Sequence, residues 1–154
     1  MKDKAIYLIL DNIRSRENVG SIFRTADAAG VSRIYLCGIT PTPPHPKISK
    51  ASLGAETYVS WEYYKQTYIL LKKLKKDGIS IIALEQAKDA ENIFMFGGKT
   101  SKHMALVVGN EVNGISLKIL KYCDKKISIP MYGKKESLNV AVALGIAVYM
   151  IRRT

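Results

Sequence analysis

The sequence predicts an α/β protein, a mainly parallel β-sheet with helices on both faces. Three observations carry this. Short apolar runs at residues 5–10, 33–37, 79–84 and 105–108 have the length and near-continuous hydrophobicity of strands buried on both sides, and a more polar β-type run follows at 125–129. Helically spaced apolar residues fill several of the intervals between them. The last helical stretch, residues 140–151, contains no charge and is apolar all round, so it must be covered on every side.

Taken in order, the first strand is bounded by charges and followed by a polar, turn-rich segment at 11–18. Helical spacing begins at Val19, with Ile22, Phe23, Ala26 and Ala29 on one side and Gly30 as the stop. The strand at 33–37 completes a βαβ unit. Residues 40–50, TPTPPHPKISK, read as a stiff loop over the sheet edge rather than a helix, with Lys47 and Lys50 outward. A strand near 57–61 precedes a helix at 64–76 with Tyr68, Leu71 and Leu74 as its buried stripe. Lys72, Lys73, Lys75 and Lys76 form its solvated face. Residues 92–99 have no clear assignment. GGKT at 97–100 does not make a phosphate-binding loop, because the motif's first glycine falls on Ile93 and a strand follows where a helix is needed. After the strand at 105–108 come a short helix at 116–122 and the strand at 125–129. Pro130 and a polar loop then lead into the final helix. Its twelve apolar residues are too few to span a bilayer, which needs roughly 20, so it is a core helix or a subunit interface. Gly145, with Ala141, Ala143 and Ala147, marks a close approach by another backbone.

A chain of 154 residues can bury a real core as one domain, and 47% hydrophobic with 24% charged residues excludes a disordered or fibrous protein. The 24 Lys and Arg against 13 Asp and Glu, net +11, favour a polyanionic partner, either nucleic acid or an anionic membrane surface. Cys37 and Cys123 read as core thiols and form neither a disulfide framework nor a metal motif. His45 and His103 are single, explained by a surface loop and a strand start. Without a signal-peptide pattern, a cytoplasmic location is expected.

In an open parallel sheet, ligands bind beyond the carboxyl ends of the strands. Three polar, glycine-punctuated loops fall there: after the first strand, at GNEVNG (109–114), and at PMYGKKESLN (130–139). Asn18 and Arg24 suit an anion or hydroxyl, Gly109 and Gly114 allow close backbone approach, and Ser137 and Asn139 can orient a polar ligand. Singly, each has a plainer reading: Asn18 and Ser137 as helix caps, Arg24 as a surface ion-pair partner, Glu111 as a solvated loop carboxylate.

Together, NVGSIFRTADAAG (18–30), LVVGNEVNGI (106–115) and IPMYGKKESLNVAVALGI (129–146) resemble the three motifs of the SpoU or TrmH-like branch of the SPOUT superfamily. These are RNA 2'-O-ribose methyltransferases that use S-adenosylmethionine. The resemblance runs from Asp11 to the C-terminus, with the motifs in the family's order. It implies a C-terminal part tied in a deep trefoil knot, a rare exception to the rule against threaded chains. It implies a cofactor bent in that knot, held by Gly109, Ile129 and Leu138 with Leu84, Asn110 and Met131 nearby. It also implies a homodimer whose active site borrows residues across the interface, which supplies the final helix with its second surface. A charge at Ala143 or Ala147 is then expected to cost dimer and activity together.

By the same resemblance, the catalytic positions are Arg24, Asn18, Glu111, Ser137 and Asn139. The reaction is an in-line displacement in which a ribose 2'-oxygen attacks the sulfonium methyl, so the site must position both groups and help remove a proton. An arginine, with a pKa above about 12, is a poor base. Arg24 is therefore expected to hold the adjacent phosphate and stabilise the developing alkoxide. No metal is expected. Many relatives carry an additional N-terminal RNA-binding domain. Here a single domain, 1–154, is expected to recognise tRNA or rRNA through its basic loops at 14–16, 47–50 and 134–135, or through a partner protein. A non-catalytic RNA-binding module keeping the knotted fold is the alternative, against which the intact Arg24, Glu111, Ser137 and Asn139 argue. A Rossmann-type enzyme is disfavoured because no G-x-G-x-x-G follows the first strand.

Overall fold

The computed structural model describes residues 4–97 and 103–154. Its framework is one seven-stranded sheet: β1 (Ile6–Asp11), β2 (Arg33–Cys37), β3 (Trp61–Tyr64), β4 (Ser80–Leu84), β5 (Glu91–Asn92), β6 (Met104–Val108) and β7 (Lys125–Ser128). The strand order is β3-β2-β1-β6-β4-β7-β5, and every pairing is parallel. Alternation along the strands divides the core in two. Leu8, Leu10, Leu36, Ile82, Leu106 and Val108 pack against helices α1 (Arg16–Ala28) and α5 (Val140–Arg152). Ile9, Cys37, Ile81, Ala83, Ala105 and Val107 face α3 (Thr67–Lys76) and α4 (Leu117–Leu120). Both faces are buried, which is why the strands read as apolar runs rather than alternating patterns. From β1 the chain turns to α1 on one face, and from β6 to α4 on the other. The adjacent carboxyl ends of β1 and β6 thus form a switch point where a ligand crevice opens.

Several local expectations change. α1 starts at Arg16, three residues before Val19, because Ser15 caps it: the Ser15 hydroxyl accepts from the Asn18 N–H at 3.1 Å. Asn18 is therefore inside the helix, and its side chain is free for other work. The proline-rich loop ends in a helix, α2 (Pro46–Ser52). Pro46 stands in the first turn, where a missing N–H costs nothing, and the His45 ring caps it by accepting from the Lys47 N–H at 3.1 Å. α2 packs so closely on α1 that a side chain at Gly20 would meet Ala51 Cβ at 2.7 Å.

The strand expected near 57–61 begins only at Trp61, after a 3-10 turn at Ala55–Thr57. α3 accordingly starts at Thr67, with Thr67, Leu70, Leu71 and Leu74 buried. Tyr68 is only partly buried, with the Lys118 ammonium 4.0 Å from its ring centroid. The unassigned segment holds β5 and a 3-10 turn at Ile93–Met95, and the last three residues of GGKT, 98–100, lie outside the described residues. Cys37 is buried and Cys123 partly so. Burial pushes both thiols up to about 12, which keeps them inert.

Among the described residues, α5 is covered on one side only. Leu144, Ala147, Val148 and Ile151 are buried against the sheet and α1. Val142, Ile146 and Tyr149, spaced so as to share a helix face, are 52%, 37% and 51% exposed. Gly145 lies where α5 crosses α1, and the neighbour there is the Thr25 methyl at an ordinary 3.6 Å. The expectation that a charge at Ala147 or Ala143 probes a dimer therefore needs correction. Ala147 belongs to the core, and Ala143 faces the cavity described next.

Candidate active site

A cavity of about 370 Å³ opens beyond the carboxyl ends of β4, β6 and β7, within the size range of small-molecule sites. Its apolar wall is built from Leu84, Val108, Ile129, Leu138, Val140 and Ala143. Its polar rim comes from Asn18 on α1, Glu85 and Gln86 after β4, residues 109–112 and Gly114 after β6, and Ser137 and Asn139 before α5. The three loops singled out in the sequence therefore meet. Of the eleven candidate residues, nine line the cavity: Asn18, Leu84, Gly109, Asn110, Glu111, Ile129, Ser137, Leu138 and Asn139. Met131 and Arg24 do not. Met131 is partly buried beyond Pro130. Arg24 is exposed on α1, six residues after Asn18 and so about 9 Å further along the helix, next to the crossing with α5.

The loop after β6 doubles back on itself. Asn110 and Gly114 form an isolated antiparallel bridge, the Gly114 N–H donates to Asn110 O at 2.9 Å, and Asn110 Oδ1 accepts from Val112 and Asn113 N–H at 2.9 and 3.0 Å. Gly114 takes φ +68, in the left-handed region. Gly109 faces this return directly: a Cβ there would stand 2.5 Å from the Gly114 carbonyl carbon and 2.6 Å from the Ile115 nitrogen. The loop is braced from below by Glu85, whose Oε2 accepts from the Ile115 N–H at 2.7 Å. It is tied to the loop after β1 by Asn110 Nδ2, which donates to Asn12 O at 2.9 Å.

At the rim, side chains from all three motifs form one hydrogen-bonded chain. Asn139 Nδ2 donates to Asn18 Oδ1 at 3.0 Å, and Asn18 Nδ2 donates to Glu111 Oε2 at 3.0 Å. Glu111 also accepts from the Arg14 and Ser15 N–H groups, at 2.8 and 2.9 Å. Burial pushes the Glu111 carboxyl upward, but these backbone bonds and the Asn18 amide outweigh it and hold the group below the ordinary value of 4.5. Glu111 is thus an ionised clamp with its oxygens engaged, suited to holding the entrance of α1 rather than to collecting a proton. Its clamp is complete at neutral pH and is released as pH falls through the lowered value. Asn139 also caps α5, its Oδ1 accepting from Ala141 and Val142 N–H at 2.9 and 3.2 Å. The cap expected at Ser137 is therefore Asn139, and Ser137 is left exposed on the cavity wall.

Glu85 and Gln86 were not foreseen as site residues. They form a fourth loop beyond a strand's carboxyl end, the position that singled out the other three, and Gln86 Nε2 binds Ile129 O at 2.8 Å to join that loop to the third motif. Among the described residues, no group of three or more His, Cys, Asp or Glu is placed to hold a metal ion, and no helix is long and apolar enough to cross a membrane.

The chain resembles known proteins in sequence and in fold. The chain is 35% identical over 153 residues to the tRNA (guanosine(18)-2'-O)-methyltransferase of Aquifex aeolicus, covering 99% of this chain and 71% of that one. It is 31% identical to the 23S rRNA (guanosine-2'-O-)-methyltransferase RlmB of Neisseria meningitidis serogroup B, over 99% of this chain and 60% of the relative. Among solved structures, the AdoMet-bound rRNA methyltransferase of Sinorhizobium meliloti superposes with a TM-score of 0.89 at 29% identity, over 97% of this chain and 56% of that one. The A. aeolicus TrmH/SpoU tRNA modifying enzyme gives 0.86 at 33% identity, over 97% and 75%. Several of these relatives are thus much longer than this chain. Residues 5–149 match the pattern of the SpoU rRNA Methylase family, and with this fold and these three converging motifs the chain belongs to that family.

Proposed function

We propose that this chain transfers a methyl group from S-adenosylmethionine to a ribose 2'-hydroxyl of tRNA or rRNA. The observation that carries the reading is the Asn139–Asn18–Glu111 chain, which locks all three motifs around one cavity. The cavity suits the cofactor: apolar side chains offer a slot for a flat base, and glycine backbone and amides offer polar contacts at its edge. Gly109, Ile129 and Leu138 hold the cofactor, with Leu84 and Asn110 around them, and Met131, outside the cavity wall, has no contact with it. When bound, S-adenosylmethionine supplies an electrophilic methyl group on a sulfonium. The rest is positioning. Ser137 and Asn139 orient the ribose, while Asn18 and Glu111 fix Asn139 and the start of α1. Arg24 holds the neighbouring phosphate and stabilises the alkoxide as the 2'-hydroxyl loses its proton.

The same reading has the C-terminal part knotted, with the segment between β7 and α5 passing the loops at 85–86 and 109–114 before α5 docks on α1. It has residues 1–154 acting as one domain in the cytoplasm. It has the protein working as a homodimer through the outer face of α5, where Val142, Ile146 and Tyr149 lie exposed beside the crossing that carries Arg24. Arg24 then serves a site completed at the interface. Ile146→Glu is accordingly expected to give a folded monomer with at least about tenfold lower turnover, since a charge in an apolar contact is not tolerated. Sedimentation and a methyl-transfer assay on the same sample check this, and a fully active monomer contradicts it.

The function is tested by mapping 2'-O-methyl sites in total RNA from cells with and without the protein. Loss of one tRNA or rRNA mark supports the reading. Unchanged marks favour the non-catalytic RNA-binding module instead.

A further inference from the structure

Among the described residues, the cavity wall carries two charged side chains, Glu85 and Glu111, and no lysine or arginine, in a chain of net charge +11. The sign of the site is thus opposite to that of the protein. The two carboxylates are not equivalent. Glu111 is shared among Arg14 N–H, Ser15 N–H and the Asn18 amide. Glu85 accepts from two backbone groups, Gln86 N–H at 3.1 Å and Ile115 N–H at 2.7 Å. A carboxylate has about four acceptor positions, so Glu85 keeps capacity toward the cavity it lines.

We propose that Glu85 makes this site prefer the sulfonium cofactor over the neutral thioether left after methyl transfer. The inference rests on the function proposed above. Transfer breaks the S–CH3 bond and forms the O–CH3 bond. The sulfur keeps the bonding electron pair and loses its positive charge, and the hydroxyl proton passes to solvent water. The bound group therefore drops by one unit of charge. A fixed carboxylate in a partly enclosed cavity stabilises the cation before the step and has nothing comparable to hold after it. At several ångströms and an effective dielectric of about 20, a unit charge changes affinity by about tenfold or more. The amino-acid end is the same in both molecules, so its charge cancels in the ratio.

Calorimetry on the full chain tests this with three probes: S-adenosylmethionine, S-adenosylhomocysteine, and sinefungin, in which an amine-bearing carbon replaces the methylsulfonium. Glu85→Gln keeps the shape and a carbonyl acceptor for the Ile115 N–H while removing the charge and the weaker contact with the Gln86 N–H. The two cationic probes are expected to weaken by about tenfold and the thioether by less than about twofold. Equal weakening of all three would reduce Glu85 to a brace for the 109–115 loop and overturn the inference, as would no weakening at all. A wild-type chain that binds none of the probes overturns the functional reading and this inference with it. If Glu85→Gln does not fold, Val112→Lys decides. Val112 is an exposed residue of the cavity rim, so a lysine there adds positive charge without disturbing the core. It is expected to weaken the cationic probes relative to the thioether by about threefold, and an unchanged ratio overturns the inference.

Discussion

Arg24→Ala is expected to lower methyl transfer by about 10³-fold while leaving S-adenosylmethionine affinity within about twofold. The split follows from position. Arg24 is exposed on α1 and takes no part in the cavity wall, whereas the residues proposed to hold the cofactor line the cavity beyond β4, β6 and β7. An arginine placed to grip a phosphate and a developing alkoxide contributes in the transition state and little before it, so the loss falls on turnover rather than on cofactor binding. Single-turnover kinetics with calorimetry on the same preparation read both quantities. A variant with wild-type turnover would remove Arg24 from the mechanism, and one that fails to bind cofactor would assign it a structural role instead.

Gly109→Ala is expected to have the opposite signature, a loss of cofactor affinity exceeding about 100-fold. The new methyl group would stand 2.5 Å from the Gly114 carbonyl carbon, with Gly114 O and Ile115 N each at 2.6 Å. All three are backbone atoms of a loop that cannot retreat. Glu85 holds Ile115 from below, and the Asn110–Gly114 bridge holds the return. Relieving the overlap means opening that bridge and dislodging the backbone that lines the cavity. The backbone contacts this loop offers the cofactor are then lost, so the effect falls on affinity. Calorimetry measures the affinity, and melting temperature separates a local rearrangement from global loss. Normal binding would mean that the loop is softer than its contacts indicate.

Much of the fold was legible because burial on both faces of a parallel sheet leaves a simple mark. The strand at Arg33–Cys37 appears with its predicted bounds, and the apolar runs around β1, β4, β6 and β7 are each found within about a residue or two. The errors arose where one local signal stood for two structures. Four prolines in residues 40–46 did mark a stiff loop, but the last of them, Pro46, also begins a helix, and proline in a first turn is favourable. Thr57 and Val59 resemble strand residues, yet the chain there makes a 3-10 turn before β3. β-Branched residues are only a weak indicator when tertiary contacts decide.

The site was legible through its three motifs, and spacing alone could not rank their residues. Asn18 and Ser137 each resembled caps. The actual caps are Ser15 and Asn139, a distinction that depends on backbone geometry rather than composition. Glu85 and Gln86 were overlooked because LEQ after a strand carries no glycine and no motif, and only the strand order shows that this loop ends beside Gly109 and Ile129. The apolar circumference of α5 implies cover on every side, which the described residues provide only in part. The chain itself covers one side, through Leu144, Ala147, Val148 and Ile151, and leaves Val142, Ile146 and Tyr149 for a second surface.

The central claim is the position of the transferred methyl group. A ribose linkage whose 2'-oxygen is methylated lacks the nucleophile that attacks the adjacent phosphate in alkali, so a 2'-O-methylated step survives as an alkali-stable dinucleotide. The decisive measurement is incubation of the purified chain with methyl-labelled S-adenosylmethionine and RNA from cells lacking it, followed by alkaline hydrolysis. The account predicts that the label is recovered in a single alkali-stable dinucleotide and that Arg24→Ala leaves none. Label recovered on a base in mononucleotides, or wild-type labelling by Arg24→Ala, would contradict it.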